Sequence, residues 1–170
     1  MAITDDILAQ IDDQTLDTIA THLGIDRAKA RDVLEDAVPM LVGGLGNNVQ
    51  SEDGAASLAR ALGDHADAQP LGNAGDLLGG VLGGGILDHV FGGKVPDVSE
   101  AIGNKNGTSS LDVQKILAIV APIVMAVLAK KLGGQASPGT VQEQVQRESQ
   151  AAQQQKPDLG SILGSILGSR

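Results

Sequence analysis

The sequence predicts an all-α protein, a helical array of about seven helices built from two related helix-turn-helix-like units and continued by a polar linker and a short apolar C-terminal helix. Three observations carry that expectation. First, one helical pattern occurs twice at a fixed offset: Gly24 and Gly107 lie 83 residues apart, and so do Pro39 and Pro122. Between these anchors, with no gap, Ala30, Val33, Leu34, Ala37, Val38 and Leu41 fall on Val113, Ile116, Leu117, Val120, Ala121 and Val124. Second, the spacing of these positions, i, i+3, i+4, i+7, i+8, i+11, is one face of an α-helix. Third, aromatic residues make up 1% of the chain, Phe91 being the only one. The core must therefore be packed from Leu, Ile, Val, Ala and Met, which suits closely spaced helices.

Residues 4–11 read as a short helix with Ile7, Leu8 and Ile11 on one side. Asp13 can cap a second helix carrying Leu16, Ile19, Ala20 and Leu23, and Gly24 stops it as a glycine just past the end. Asp26 can cap the third helix, which holds the first periodic face. Pro39 inside that face predicts a kink rather than an end, and the run closes near Gly46, Asn47 and Asn48. A fourth helix starts at Ser51 and bears Leu58, Ala59, Ala61 and Leu62, and a loop around Pro70 and Gly72 follows. From Asp76 to Phe91 the apolar residues come in pairs at spacings near four, which argues for a helix despite the glycines between them. Gly92, Gly93 and Pro96 break it. Residues 97–105 form the counterpart of the helix that ends at Gly24, and Ser109 with Asp112 gives the next helix a capping-box-like start.

That next helix is apolar almost all round from Ile116 to Ala129, the mark of a buried helix. Its apolar stretch of 14 residues falls short of the roughly 20 that a bilayer span needs, so a core helix is expected rather than a membrane segment. The composition changes at Gly133. Residues 133–157 are polar and Gln-rich, either a linker or, with Thr140 and Glu143 as a capping box, a solvated helix. Residues 158–170 are an apolar Gly/Ser tail with Leu159, Ile162, Leu163, Ile166 and Leu167 on one helical stripe. The organisation expected is a helical domain over residues 1–132, with repeat units at about 14–48 and 97–132 joined by helices 52–65 and 76–91, then the linker and the tail.

Composition narrows the chemistry. The net charge is −9, and residues 1–66 set four basic residues against twelve carboxylates, a surface that repels phosphate backbones. There is no cysteine, which excludes disulfides, thiolate nucleophiles, cysteine-based zinc sites and iron–sulfur clusters. Scarce aromatics disfavour base stacking. The N-terminal MAITDDILAQ has neither the basic region nor the apolar run of a secretory signal, so a cytoplasmic location is expected.

The clearest motif is the helix-turn-helix spacing. A small residue, Ala20 or Gly103, stands four before the turn glycine, Gly24 or Gly107, and apolar positions follow on the second helix. In a DNA reader the start of that helix enters the major groove, where the first unit offers Arg27, Lys29 and Arg31. Asp26, Asp32, Glu35 and Asp36 surround them, and the second unit offers only Lys115, so nucleic acid is a disfavoured partner. Gly75-x-x-x-Gly79-x-x-x-Gly83 and Gly80-x-x-x-Gly84 allow close helix approach, but no Gly-Lys-Ser/Thr follows and no phosphate loop is expected. His22, His65 and His89, the last two each preceded by an aspartate, have no second ligand at helical spacing, and no nucleophile stands beside a base. No catalytic, metal or cofactor site is therefore expected.

The stretch from Gly83 to Lys94, Gly-Gly-Gly-Ile-Leu-Asp-His-Val-Phe-Gly-Gly-Lys, followed by the Ser109–Leu128 helix with Ala121-Pro122-Ile123-Val124-Met125, resembles the bacterial YidB-like proteins, the domain-of-unknown-function nine-three-seven family. The resemblance covers roughly residues 10–132. It implies a small all-α bacterial protein and brings no activity, cofactor or catalytic residue. The function expected is that of a non-enzymatic protein-interaction or self-associating scaffold protein, with nucleic-acid binding as the alternative. Its partner would be a protein or a second copy, contacted through Leu159, Ile162, Leu163, Ile166 and Leu167 on the tethered tail. With Arg170 as the tail's single cation, membrane attachment is disfavoured.

Overall fold

The two turn glycines end their helices in the same way. Gly24 (φ 69°) and Gly107 (φ 65°) both take the left-handed conformation that a side chain resists. The amide after each reaches back five residues, Ile25 N–H to the Ala20 carbonyl at 3.0 Å and Thr108 N–H to the Gly103 carbonyl at 2.9 Å. In the second turn the residue four before the glycine is itself held to glycine, because a Cβ on Gly103 would lie 2.6 Å from the Thr108 carbonyl oxygen.

These turns sit in a computed structural model that describes residues 3–65, 81–133 and 137–167. The described residues form α1 (Ile3–Gln10), α2 (Asp13–Leu23), α3 (Arg27–Asn48), α4 (Glu52–His65), α5 (Val81–Phe91), a 3-10 turn (Gly92–Lys94), α6 (Val95–Asn106), α7 (Ser110–Leu132), α8 (Pro138–Gln155) and α9 (Pro157–Leu167). No strand occurs among them, and the protein is all-α. The expected loop around Pro70 and Gly72, the start of the 76–91 helix, and Gly75, Gly79 and Gly80 lie outside the described residues.

Caps follow the local chemistry, with one shift of position. Asp12, not Asp13, caps α2: its carboxylate accepts from the Thr15 amide at 2.8 Å, and that bond holds its carboxyl below the ordinary aspartate value. Ser109 accepts from the Asp112 amide at 3.1 Å to start α7. Ser137, with Pro138 in the first turn, starts α8, so Thr140 stands inside the helix rather than at its cap.

Helices α3 and α7 form the centre and pack on each other. Both continue through their internal prolines, Pro39 and Pro122. Val33, Leu34, Leu41, Ile116, Leu117, Val120 and Val124 share one buried cluster. Helix α3 also has a crowded glycine stretch. A Cβ on Gly44 would come within 2.7 Å of Val90 and Phe91 of α5, one on Gly43 would press into Leu163 of α9, and one on Gly46 into Ser149 of α8. Three adjacent helices thus meet the α3 backbone directly.

Of the two alternatives for the polar segment, a linker or a solvated helix, the structure has a helix over Pro138–Gln155. It is an 18-residue helix whose inner edge, Val141, Val145, Glu148, Ser149 and Ala152, is buried against α3 and α4. An apolar residue at every third or fourth position suffices to seat a helix whose other faces are polar.

Candidate interaction surface

The tail is helical and seated on its own chain. Leu159 and Leu163 are buried, and Ile162, Ile166 and Leu167 are half-buried against the same core. The stripe expected to form a helix when covered by a partner or a second copy is helical here and covered by its own chain. Only Lys156 separates α8 from α9, so the nearest apolar surface available to the stripe is that of its own α3 and α6.

Two buried carboxylates pin this C-terminal pair of helices. Asp36, whose side chain is 4% exposed, receives Lys105 Nζ at 3.1 Å and Lys156 Nζ at 3.5 Å on one oxygen and Asn106 Nδ2 at 2.8 Å on the other. Lys105 also meets Asp158 at 2.7 Å. Glu148 accepts the Ile3 amide at 2.9 Å and the Gln144 amide at 2.9 Å and pairs with Lys131 at 2.8 Å. Burial works against the charged form of Glu148, but Lys131 and the Ile3 amide outweigh it and hold the carboxyl below its ordinary value. Burial likewise opposes the charge of Lys105, and Asp158 and Asp36 overcome it, raising the ammonium above its usual value. Lys105 in turn holds the Asp158 carboxyl low. Neither buried hub was singled out in the sequence. Their signal was there: Asp36 interrupts the apolar face between Val33 and Ala37, and Glu148 completes the spacing Val141, Val145, Glu148, Ala152.

Because α9 carries Gly and Ser between its aliphatic residues, its flanks are open. On one side lies a groove of about 510 Å³ between α3, α8 and α9, lined by Asn47, Gln50, Gln146, Gln150, Leu163 and Leu167 among others, with no charged side chain among the described residues. On the other lies a cleft of about 440 Å³ between α6 and α9, containing Ile162, Ile166, Asp97 and Glu100. A third cleft of about 370 Å³, between α4 and α5, is lined mainly by aliphatic side chains with Arg60 and His89.

The cations of the helix-turn-helix reading are engaged within the chain. Arg27 forks onto both oxygens of Asp17, Lys29 donates to the Asn106 carbonyl, and Arg31 pairs with Asp13 at 3.2 Å. His22 and His89 are both exposed and far apart in the chain, and the His65 side chain lies outside the described residues. Among the described residues no group of three His, Asp or Glu side chains is placed to hold a metal. One helix there, Ser110–Leu132, is long and apolar enough to cross a membrane, and 67% of its most apolar window is buried inside the protein.

No curated protein and no solved structure matches the chain. The model of a family described as "Bacterial protein of unknown function (DUF937)" matches residues 5–131, up to the penultimate residue of α7. With three quarters of its length so matched, the chain belongs to that bacterial family of unknown function.

Proposed function

We propose that this chain is a non-enzymatic protein-interaction protein that self-associates, and that its contact face is the neutral groove between α3, α8 and α9. The observation that carries this reading is the groove's charge. In a chain of net charge −9, two copies repel one another across any surface holding its share of carboxylates. Among the described residues none that lines this groove is charged. Its Gln and Asn amides both donate and accept, so the same surface on a second copy can satisfy them, and Leu167 supplies an apolar edge. Each amide pair adds only about 0.5–1.5 kcal/mol, which suits a weak, concentration-dependent association.

Leu163 is 5% exposed, so Leu163→Asp would disrupt the fold rather than the contact. Gln150→Glu with half-buried Leu167→Asp charges the groove without replacing a fully buried side chain. Sedimentation velocity over a wide concentration range should show the native chain self-associating and the double variant monomeric. A native chain that stays monomeric throughout ends this reading. Nucleic-acid binding ranks second, and the internal engagement of Arg27, Lys29 and Arg31 supports that order. A cytoplasmic location belongs to the same reading.

A further inference from the structure

We propose that the cleft on the opposite flank of α9 docks a basic amphipathic helical segment of a partner protein. This rests on reading the chain as an interaction protein and adds the chemistry of a partner. Ile162 and Ile166 stand one turn apart on α9, half-buried, with Ala101 of α6 across from them. Ser161 and Ser165 line the same cleft, and their short side chains leave room between the two helices. The α6 wall carries Asp97 and Glu100, both exposed and one turn apart. Lys94 approaches Asp97 only at 3.9 Å, and Glu100 has no ion-pair partner among the described residues. Among the described residues no cation lines the cleft.

An apolar floor between i, i+4 aliphatic residues accepts the face of a helix that presents its own aliphatic side chains at i, i+3 and i+4. The carboxylates select among such helices. A neutral apolar segment would strip water from Asp97 and Glu100 without compensation, an acidic one would be repelled, and a Lys- or Arg-flanked one pairs with them. The chain's overall negative charge draws the same class of segment toward the surface. The neutral groove on the other flank lacks this selection, so the two sides of α9 suit different occupants.

The test titrates the full chain with a fluorescently labelled synthetic amphipathic Leu/Lys helix and with its Leu/Glu counterpart. The Lys peptide should bind with an affinity that falls as salt rises, and the Glu peptide should not bind. Asp97→Asn with Glu100→Gln should weaken the Lys peptide about fivefold and flatten its salt dependence. Ser165→Lys, at an exposed position that leaves the core intact, should weaken it comparably. Asp32→Asn with Glu35→Gln, an equal charge change on exposed α3 positions, should leave binding unchanged. The proposal is overturned if the Lys peptide does not bind, if the cleft variants bind it normally, or if the α3 control weakens it as much. Sedimentation of the same samples separates this from the self-association reading: peptide binding to a monomer keeps the cleft and sinks the groove, and a self-associating chain that ignores the peptide does the reverse.

Discussion

Single residues decide how the C-terminal helices are held, and the two buried carboxylates carry most of that burden. Asp36 is the common acceptor for Lys105, Lys156 and Asn106, which come from α6 and from the junction of α8 and α9. Removing it takes the acceptor from Lys156 and the Asn106 amide while Lys105 keeps Asp158, and with both ammonium groups about a third exposed the loss is about 1–3 kcal/mol. Asp36→Ala should therefore lower the stability measured by urea unfolding by about that much, and replacing exposed Asp32 the same way should change it little. Ser99 gives a contrast. Its side chain is fully buried in α6 and its Oγ has no hydrogen-bond partner among the described residues. Ser99→Ala removes an unsatisfied group, so it should leave stability unchanged or raise it by up to about 1 kcal/mol in the same urea titration.

At the level of elements, the glycines of α3 matter more for what approaches them than for the helix they occupy. Alanine at a helical glycine is ordinarily favourable by about 1 kcal/mol. At Gly46 that gain is opposed, because the added methyl would overlap the Ser149 Cβ, which is fixed to the α8 backbone and cannot swing aside. Overpacking of this kind costs about 1–3 kcal/mol. Gly46→Ala should therefore destabilise the protein, and amide exchange should report the loosening first in residues 138–155. Gly85 in α5, where a Cβ meets nothing, should tolerate the same change. The boundaries of these elements were legible in the sequence wherever a local rule fixed them. The glycines past α2 and α6, the Ser109 cap and the periodic faces of α3 and α7 all follow from backbone sterics and spacing. The close approaches at Gly43, Gly44 and Gly46 were not legible, because they depend on which helix arrives from elsewhere in the chain.

For the whole molecule, the C-terminal helices belong to the folded unit although the family match stops at residue 131. Deleting residues 137–170 would remove Val141, Val145, Leu159 and Leu163 from the core, each worth roughly 1.5–3 kcal/mol in burial. Typical net stabilities are about 5–15 kcal/mol, so the truncated chain should melt far lower or fail to fold by circular dichroism. A linker and a free tail could be lost without such an effect. The same helices make stability depend on pH at both ends. Glu148 and Asp158 have lowered folded values, so their contribution is full above their ordinary values of 4.5 and 3.8 and is lost as pH falls through the folded ones. Lys105 is raised, so its contribution is full below its ordinary value of 10.5 and is lost as pH rises through the folded one. The melting temperature should fall below pH 4.5 and again above 10.5, and Glu148→Gln should flatten the acid side.

What the sequence by itself determined is the helical class, the paired faces of α3 and α7 and the turns at Gly24 and Gly107. Each is set by periodicity or by a dihedral angle, and these are properties of a short run of chain. The tertiary structure decided the place of the polar helix and the tail. Residues 138–155 and 157–167 look like solvent-facing or unpartnered segments until Asp36 and Glu148 are brought to Lys105, Lys156, Lys131 and the Ile3 amide. Those groups lie up to 145 residues apart, and only folding makes a buried charge affordable by delivering its partners.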